Sequence, residues 1–242
     1  MVYWNSFGAS VIGPGHIVSK KPNQDAWGSF HHPYCDGIVV SDGLGSKEFS
    51  HYGSSAACLA VEHAVFSMWL DECDSLDEDF LENVKNYWID YLEGLEPRTA
   101  AATCLFAIVY ESKAWIGQLG DGCAAVVRTD GRVSVLTDDK SGSFSNMTDS
   151  LATNASADKW RLFCVPEEEV AALVLCTDGV SDDIVGLDNL KGFIKGFAES
   201  SAEMATIVAA REAKDMLENW PTPKHADDKT IACLLRKEAE DE

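Results

Sequence analysis

The sequence predicts an α+β domain in which antiparallel sheets carry helices packed on their outer faces. Three observations lead there. Strands come in runs and do not alternate one-to-one with helices, which argues against a doubly wound parallel sheet; helices come in pairs between those runs; and no Pro-, Gly- or Ser-rich linker divides the 242 residues. At roughly 150 residues per domain the length allows one or two, and the absence of a linker favours a single domain over 1–242. Apolar residues at 46% and aromatics at 10% are enough for a core and exclude global disorder.

The elements follow in order. Phe7–Ile12 and Gly37–Ser41 are short β-branched runs that end in turn residues. From Gly53 to Leu70, Ala57, Val61, Ala64, Val65 and Met68 keep helical spacing. Ser75 with Glu78 three residues on reads as a capping box. The helix it opens shows Leu76, Phe80, Leu81, Val84, Tyr87, Trp88, Tyr91, Leu92 and Leu95 on one face. Strands are expected at Thr103–Tyr110, Ala114–Leu119, Ala124–Arg128 and Val133–Leu136, with Thr129-Asp130-Gly131 as a hairpin turn. Residues 138–160 are polar and aperiodic, a long surface loop of the kind that is often functional. A strand at Ala171–Cys176 precedes a helix over Leu187–Phe197 and a second helix opened by Ser200 and stopped by Pro221. Thr230–Leu235 is the last strand, and 237–242 form an acidic tail.

Charge narrows the function. Lys and Arg number 19 against 40 Asp and Glu, a formal net charge of −21. Such a surface repels phosphate backbones and anionic lipid, so nucleic-acid and membrane partners are not expected. Of the eight cysteines, Cys58, Cys104, Cys176 and Cys233 sit in apolar runs, and no CxxC pair exists. They read as reduced thiols of a cytoplasmic protein rather than a disulfide framework or zinc site. The N-terminus has neither the basic nor the apolar region of a signal peptide, and no apolar stretch is long enough to span a bilayer.

The chemistry lies in a recurring pattern of Asp at the ends of apolar strands. Asp42-Gly43 ends VVSDG, Asp121-Gly122 ends WIGQLGDG, and Asp178-Gly179 ends LVLCTDG. Asp25 in NQDAWG and Asp227-Asp228 in HADDKTIACLL stand beside strands as well. One Asp-Gly is a turn; five acidic sites beside buried strands converge in space. Carboxylates clustered there raise one another's pKa values unless a cation compensates them. An all-oxygen, carboxylate-rich set suits Mg²⁺ or Mn²⁺, and no histidine pair at ligand spacing points to zinc.

In order and spacing, NQDAWG, VVSDGLGS, GSSAAC, TAAATCLFAIV with GQLGDGCAAVVR, LVLCTDGVSDDI and ADDKTIACLL resemble the metal-dependent type 2C protein serine/threonine phosphatases. The resemblance runs from about Lys20 to Arg236, nearly the whole chain. It implies a four-layer α/β/β/α sandwich of two antiparallel sheets flanked by helix pairs. It implies two Mn²⁺ or Mg²⁺ ions: Asp42 bridges both, the Gly43 carbonyl holds one, and Asp178 and Asp227 hold the other. Asp121 matches a position that holds a weaker third ion. The resemblance further implies that Asp42 and Asp25 carry the catalysis, Asp25 as a base orienting water, with a hydroxide bridging the metals as nucleophile. Asp228, Asp182 and Asp183 read as turn, capping or solvated carboxylates.

Three positions depart from the family pattern. Gln24 replaces the Glu before the first Asp, where an amide ligates or holds a water more weakly. Lys20 stands where a phosphate-binding Arg is usual, a point charge in place of a fork. Leu44 follows Asp42-Gly43 where eukaryotic members carry His, the pattern of a compact bacterial-type enzyme; SFSNMTDSL also resembles a bacterial subgroup with an altered flap within 138–160. The expected activity is hydrolysis of phosphomonoesters on phosphorylated proteins by a monomer. The alternatives are a pseudophosphatase that only recognises phosphorylated partners and a hydrolase of small phosphoesters.

Overall fold

A computed structural model describes residues 2–137, 148–152, 155–221 and 226–238. Among them, ten strands form two antiparallel five-stranded sheets. The first contains β1 (Val2–Val11), β6 (Cys123–Arg128), β7 (Val133–Thr137), β9 (Val170–Cys176) and β10 (Lys229–Glu238), in the order β1-β10-β9-β6-β7. The second contains β2 (Asp25–His32), β3 (Cys35–Asp42), β4 (Cys104–Tyr110), β5 (Lys113–Leu119) and β8 (Arg161–Pro166), in the order β2-β3-β4-β5-β8. Six helices accompany them: α1 (Pro14–Ser19), α2 (Ser50–Leu70), α3 (Glu78–Tyr91), α4 (Asp178–Ser181), α5 (Leu187–Ser201) and α6 (Thr206–Glu218).

Three apolar clusters between successive layers make the α/β/β/α sandwich. Between the sheets, Ile38, Val40, Leu105 and Ile116 meet Leu173, Leu175 and Leu234, all fully buried. Each such side chain removed from water contributes about 1.5–3 kcal/mol. Outside the second sheet, α2 lays Ala57, Val61, Ala64 and Val65 on Val39 and Phe106, while Val84 and Trp88 of α3 complete the same cluster. Small residues let α2 sit close: a Cβ on Gly53 would lie 1.7 Å from the Ala100 carbonyl oxygen. The Gly53 carbonyl accepts from the Trp88 indole at 2.9 Å. Outside the first sheet, Leu190, Ile194 and Phe197 of α5 and Ala209, Ala213 and Leu217 of α6 cover Val174, Cys176 and Cys233.

The sandwich agrees with expectation, and several local readings are corrected. Helix α3 does not open on Ser75: Asp77 is the N-cap, its side chain accepting from the Asp79 and Phe80 amides. Ser200 opens no helix. It lies in the last turn of α5, its hydroxyl donating back to the Phe197 carbonyl, and α6 starts at Thr206. Strands β2 and β8 and helix α1 lie where no element was expected. In the stretch read as a surface loop, 138–147 and 153–154 lie outside the described residues, while Leu151, Ala155 and Trp160 are buried against the α3 side of the core. Of the expected acidic tail, Lys237 and Glu238 belong to β10, and 239–242 lie outside the described residues. No helix among the described residues is long and apolar enough to cross a membrane.

Candidate functional site

The site forms where both sheets present strand ends at one edge of the sandwich. Asp42 is the last residue of β3, and Asp25, the first of β2, is its direct cross-strand partner. Asp178 follows β9 and opens α4. Asp121 sits in the turn between β5 and β6, flanked by Gly120 at φ 95° and Gly122 at φ 100°. Left-handed backbone on both sides requires glycine, and a Cβ on Gly122 would come within 2.7 Å of the Cys176 carbonyl oxygen. Carboxylate oxygens of Asp42, Asp121 and Asp178 lie within 4.8 Å of one another. They line a cleft of about 180 Å³ together with Gln24, Gly43 and Asp227.

Thr103 fixes Asp42: its hydroxyl accepts the Asp42 amide at 2.8 Å and its own amide donates to the Asp42 carbonyl at 2.8 Å. Gly43 closes against Gln24, donating to its carbonyl at 3.0 Å, and a Cβ there would strike the Gln24 and Ser50 carbonyl oxygens at 2.7 Å. Asp25 is buried, and one of its oxygens accepts from Thr177 at 2.8 Å. Asp25 and Asp42 face each other across the β2–β3 pair.

Electrostatics make this cluster costly without a cation. Burial, and then the charges of Asp25, Asp178 and Asp227, push the Asp42 carboxyl well above the usual carboxylate range. Burial raises Asp25 in the same direction, with the Asp228 charge adding to it. Asp178 is pushed up to about 6 by burial and the charges of Asp121 and Asp227. The donor set fits hard divalent cations. It is all oxygen, it repels itself when charged, and the Gln24 Oε1 is buried with no hydrogen-bond partner. The Gln24 amide nitrogen donates to Ser50 Oγ at 2.6 Å, which leaves that oxygen as an acceptor at the cleft, where it lies 3.8 Å from a Cβ position on Gly45.

The other expected residues are distributed around this cleft. Lys20 is exposed at the end of α1 in a left-handed conformation (φ 57°), whereas the neighbouring Lys21 ammonium donates to the Gly45 carbonyl at 2.8 Å on the cleft rim. Thr148 donates to Asp121 Oδ2 at 3.1 Å, so the stretch after β7 returns to the site. Two residues that the sequence reading set aside are built into the site's support. Asp183 accepts from the buried Lys229 ammonium at 2.8 Å and from the Trp220 indole at 2.9 Å. Lys229 also donates to the Gly179 carbonyl, next to Asp178. Asp228 is buried and fully engaged rather than solvated.

The sequence matches the family model for protein phosphatase 2C over residues 12–220, most of the chain. The chain belongs to the protein phosphatase 2C family. No curated protein matches it. Among solved structures, a bacterial serine phosphatase superposes with a TM-score of 0.67 at 17% identity, covering 98% of this chain and 100% of that one. The serine/threonine phosphatase Stp1 from Staphylococcus aureus gives 0.65 at 18% identity, covering 99% and 96%. The catalytic domain of the serine/threonine phosphatase PstP, solved with two manganese ions, gives 0.64 at 14% identity, covering 98% and 100%. At these identities the superpositions bear on the fold, which is that of the phosphatase 2C sandwich.

Proposed function

We propose that this phosphatase 2C family member hydrolyses phosphoserine and phosphothreonine esters on protein substrates, with two Mn²⁺ or Mg²⁺ ions in the cleft around Asp42 and a weaker third at Asp121. One observation carries the reading: three carboxylates within 4.8 Å stand beside an unpartnered buried Gln24 oxygen in a protein of net charge −21. A protein so acidic attracts a phosphate only where cations reverse the local sign. Asp42, the Gly43 carbonyl, Asp178 and Asp227 would hold the paired ions, with Gln24 Oε1 as a neutral contributor. When bound, such ions neutralise phosphoryl oxygens and lower the pKa of water towards neutrality.

The chain's own groups complete the chemistry. Asp25, across the β2–β3 pair from Asp42 and held by Thr177, is positioned to keep or pass a proton at its carboxyl oxygens. Gly43 and Thr103 hold Asp42 in one orientation, so the cluster geometry is set before substrate arrives. Lys20 and Lys21 supply cationic charge from the α1 loop. Eight unpaired cysteines, five of them buried, fit a reducing compartment, and we place the enzyme in the cytoplasm, acting as a monomer.

The test compares kcat/KM for a phosphothreonine peptide and a small aryl phosphate in Mn²⁺. The proposal expects turnover of both and a lower KM for the peptide. Turnover of the aryl ester alone would make this a small-phosphoester hydrolase, and phosphopeptide binding without turnover a pseudophosphatase. Lys20→Ala and Lys21→Ala should each raise KM several-fold with little change in kcat, the pattern of lost ground-state binding, and wild-type KM in both would leave phosphate to the cations alone.

A further inference from the structure

The Asp228 carboxylate is the point at which three parts of the α1 loop meet the segment before β10 that bears Asp227. It is 2% exposed. Its Oδ1 accepts the Gly13 amide at 2.7 Å, and its Oδ2 accepts both the Gln24 amide at 2.7 Å and His16 Nδ1 at 2.8 Å. Its own amide donates to Asp227 Oδ1 at 3.0 Å. The loop is pressed onto the same backbone: Gly15 donates to the Ala226 carbonyl at 2.9 Å, and a Cβ on Gly13 would lie 2.3 Å from the Asp227 carbonyl carbon.

We propose that Asp228 is a positioning residue that registers the Gly13–Gln24 loop against Asp227, and so sets both cation binding and phosphate handling. The inference rests on the metal-dependent reading above. Two connections leave this carboxylate. One runs through the Gln24 amide to the residue whose side-chain oxygen lies at the cleft, and through the Asp228 amide to the Asp227 carboxylate. The other runs through His16, whose carbonyl accepts the Lys21 amide at 2.9 Å, to the lysine whose ammonium reaches Gly45. An ionised carboxylate suits this place because it only accepts. Asn would turn an N–H₂ towards one of three donors and leave a buried amide or imidazole unpartnered.

The experiment measures Mn²⁺ affinity by calorimetry, KM and kcat on a phosphothreonine peptide, and melting temperature for wild type, Asp228→Asn, His16→Leu and His16→Asn. Asp228→Asn should weaken Mn²⁺ binding about 10–100-fold at a temperature where the variant is folded. His16→Leu should raise KM several-fold while changing Mn²⁺ affinity less. His16→Asn should restore KM, because its amide nitrogen can donate to Asp228 as Nδ1 does. An Asp228→Asn protein that melts lower but keeps wild-type Mn²⁺ affinity and KM would overturn the proposal by making the residue merely structural. If Asp228→Asn does not fold, the histidine pair decides: His16→Leu with wild-type KM overturns it, and loss in His16→Leu with recovery in His16→Asn supports it. A wild type that binds no Mn²⁺ would overturn the metal reading itself, and this inference with it.

Discussion

Asp42→Asn should lose more than about 100-fold in kcat/KM, beyond the roughly 10–100-fold typical of residues that merely support a ligand. Asp42 is the carboxylate on which the others converge, facing Asp25, Asp178 and Asp227 at the edge shared by both sheets. Asn keeps the size and the backbone hydrogen bonds to Thr103 but removes the charge. The same substitution should raise the melting temperature of the metal-free protein, because it removes a buried charge that its neighbours repel. Opposite signs on activity and stability distinguish a functional carboxylate from a structural one. Asp121→Asn should be milder on both counts and most evident at low Mn²⁺.

The second large effect is the stabilisation conferred by metal and its pH dependence. At 100 times the dissociation constant, a ligand that binds only the folded state adds about 2.7 kcal/mol. For a domain of this size that corresponds to a rise in melting temperature of roughly 5–10 °C. The metal-free protein should itself be pH-sensitive. Asp178 titrates at about 6 in the folded protein, and Asp25 and Asp42 are raised in the same direction, whereas an unfolded Asp titrates near 3.8. Between these values the folded state binds more protons than the unfolded state, so stability falls as pH rises. The penalty is absent below about pH 3.8, accumulates up to about 6 for Asp178 and about 7 for Asp25, and stays constant once these groups are ionised in both states. Mn²⁺ should therefore stabilise most at pH 8 and much less at pH 5, where protons occupy the cluster. A Mn²⁺ shift that does not change between these pH values would mean the cluster is not where the ion binds.

The sequence made the interior of this fold legible and its edges much less so. Strands β4, β5, β9 and β10 are buried on both faces, so each reads as a continuous apolar run, and α2 and α3 show their buried stripes by spacing. β2 and β8 are the edge strands of the second sheet. Gly28, His31 and His32 in β2 and the terminal Pro166 of β8 match an edge with one solvated face, and neither strand shows a clean period. Ser200 misled because a hydroxyl serves as well at a helix C-terminus, donating to Phe197, as at an N-cap.

In the site, Asp25, Asp42, Asp121 and Asp178 were readable because each adjoins an apolar run, and a strand end fixes where its next residue points. Asp227 and Asp228 are adjacent, and nothing local tells which is exposed and which is buried. That depends on the α1 loop, 204 residues away at Gln24, presenting its amides to one carboxylate. Lys229 was invisible for the same reason. A buried lysine is intelligible only once Asp183, the Gly179 carbonyl and the Trp220 ring are seen around its ammonium.

The central claim is that the Asp42 cluster works by holding divalent cations. Phosphate release from a phosphothreonine peptide, followed while Mn²⁺ is titrated into protein stripped with excess chelator, tests it most directly. The account predicts no release in chelator, recovery that saturates with Mn²⁺, and no recovery in Asp42→Asn at the Mn²⁺ that saturates the wild type. Full turnover in excess chelator, or wild-type recovery in Asp42→Asn, would contradict it.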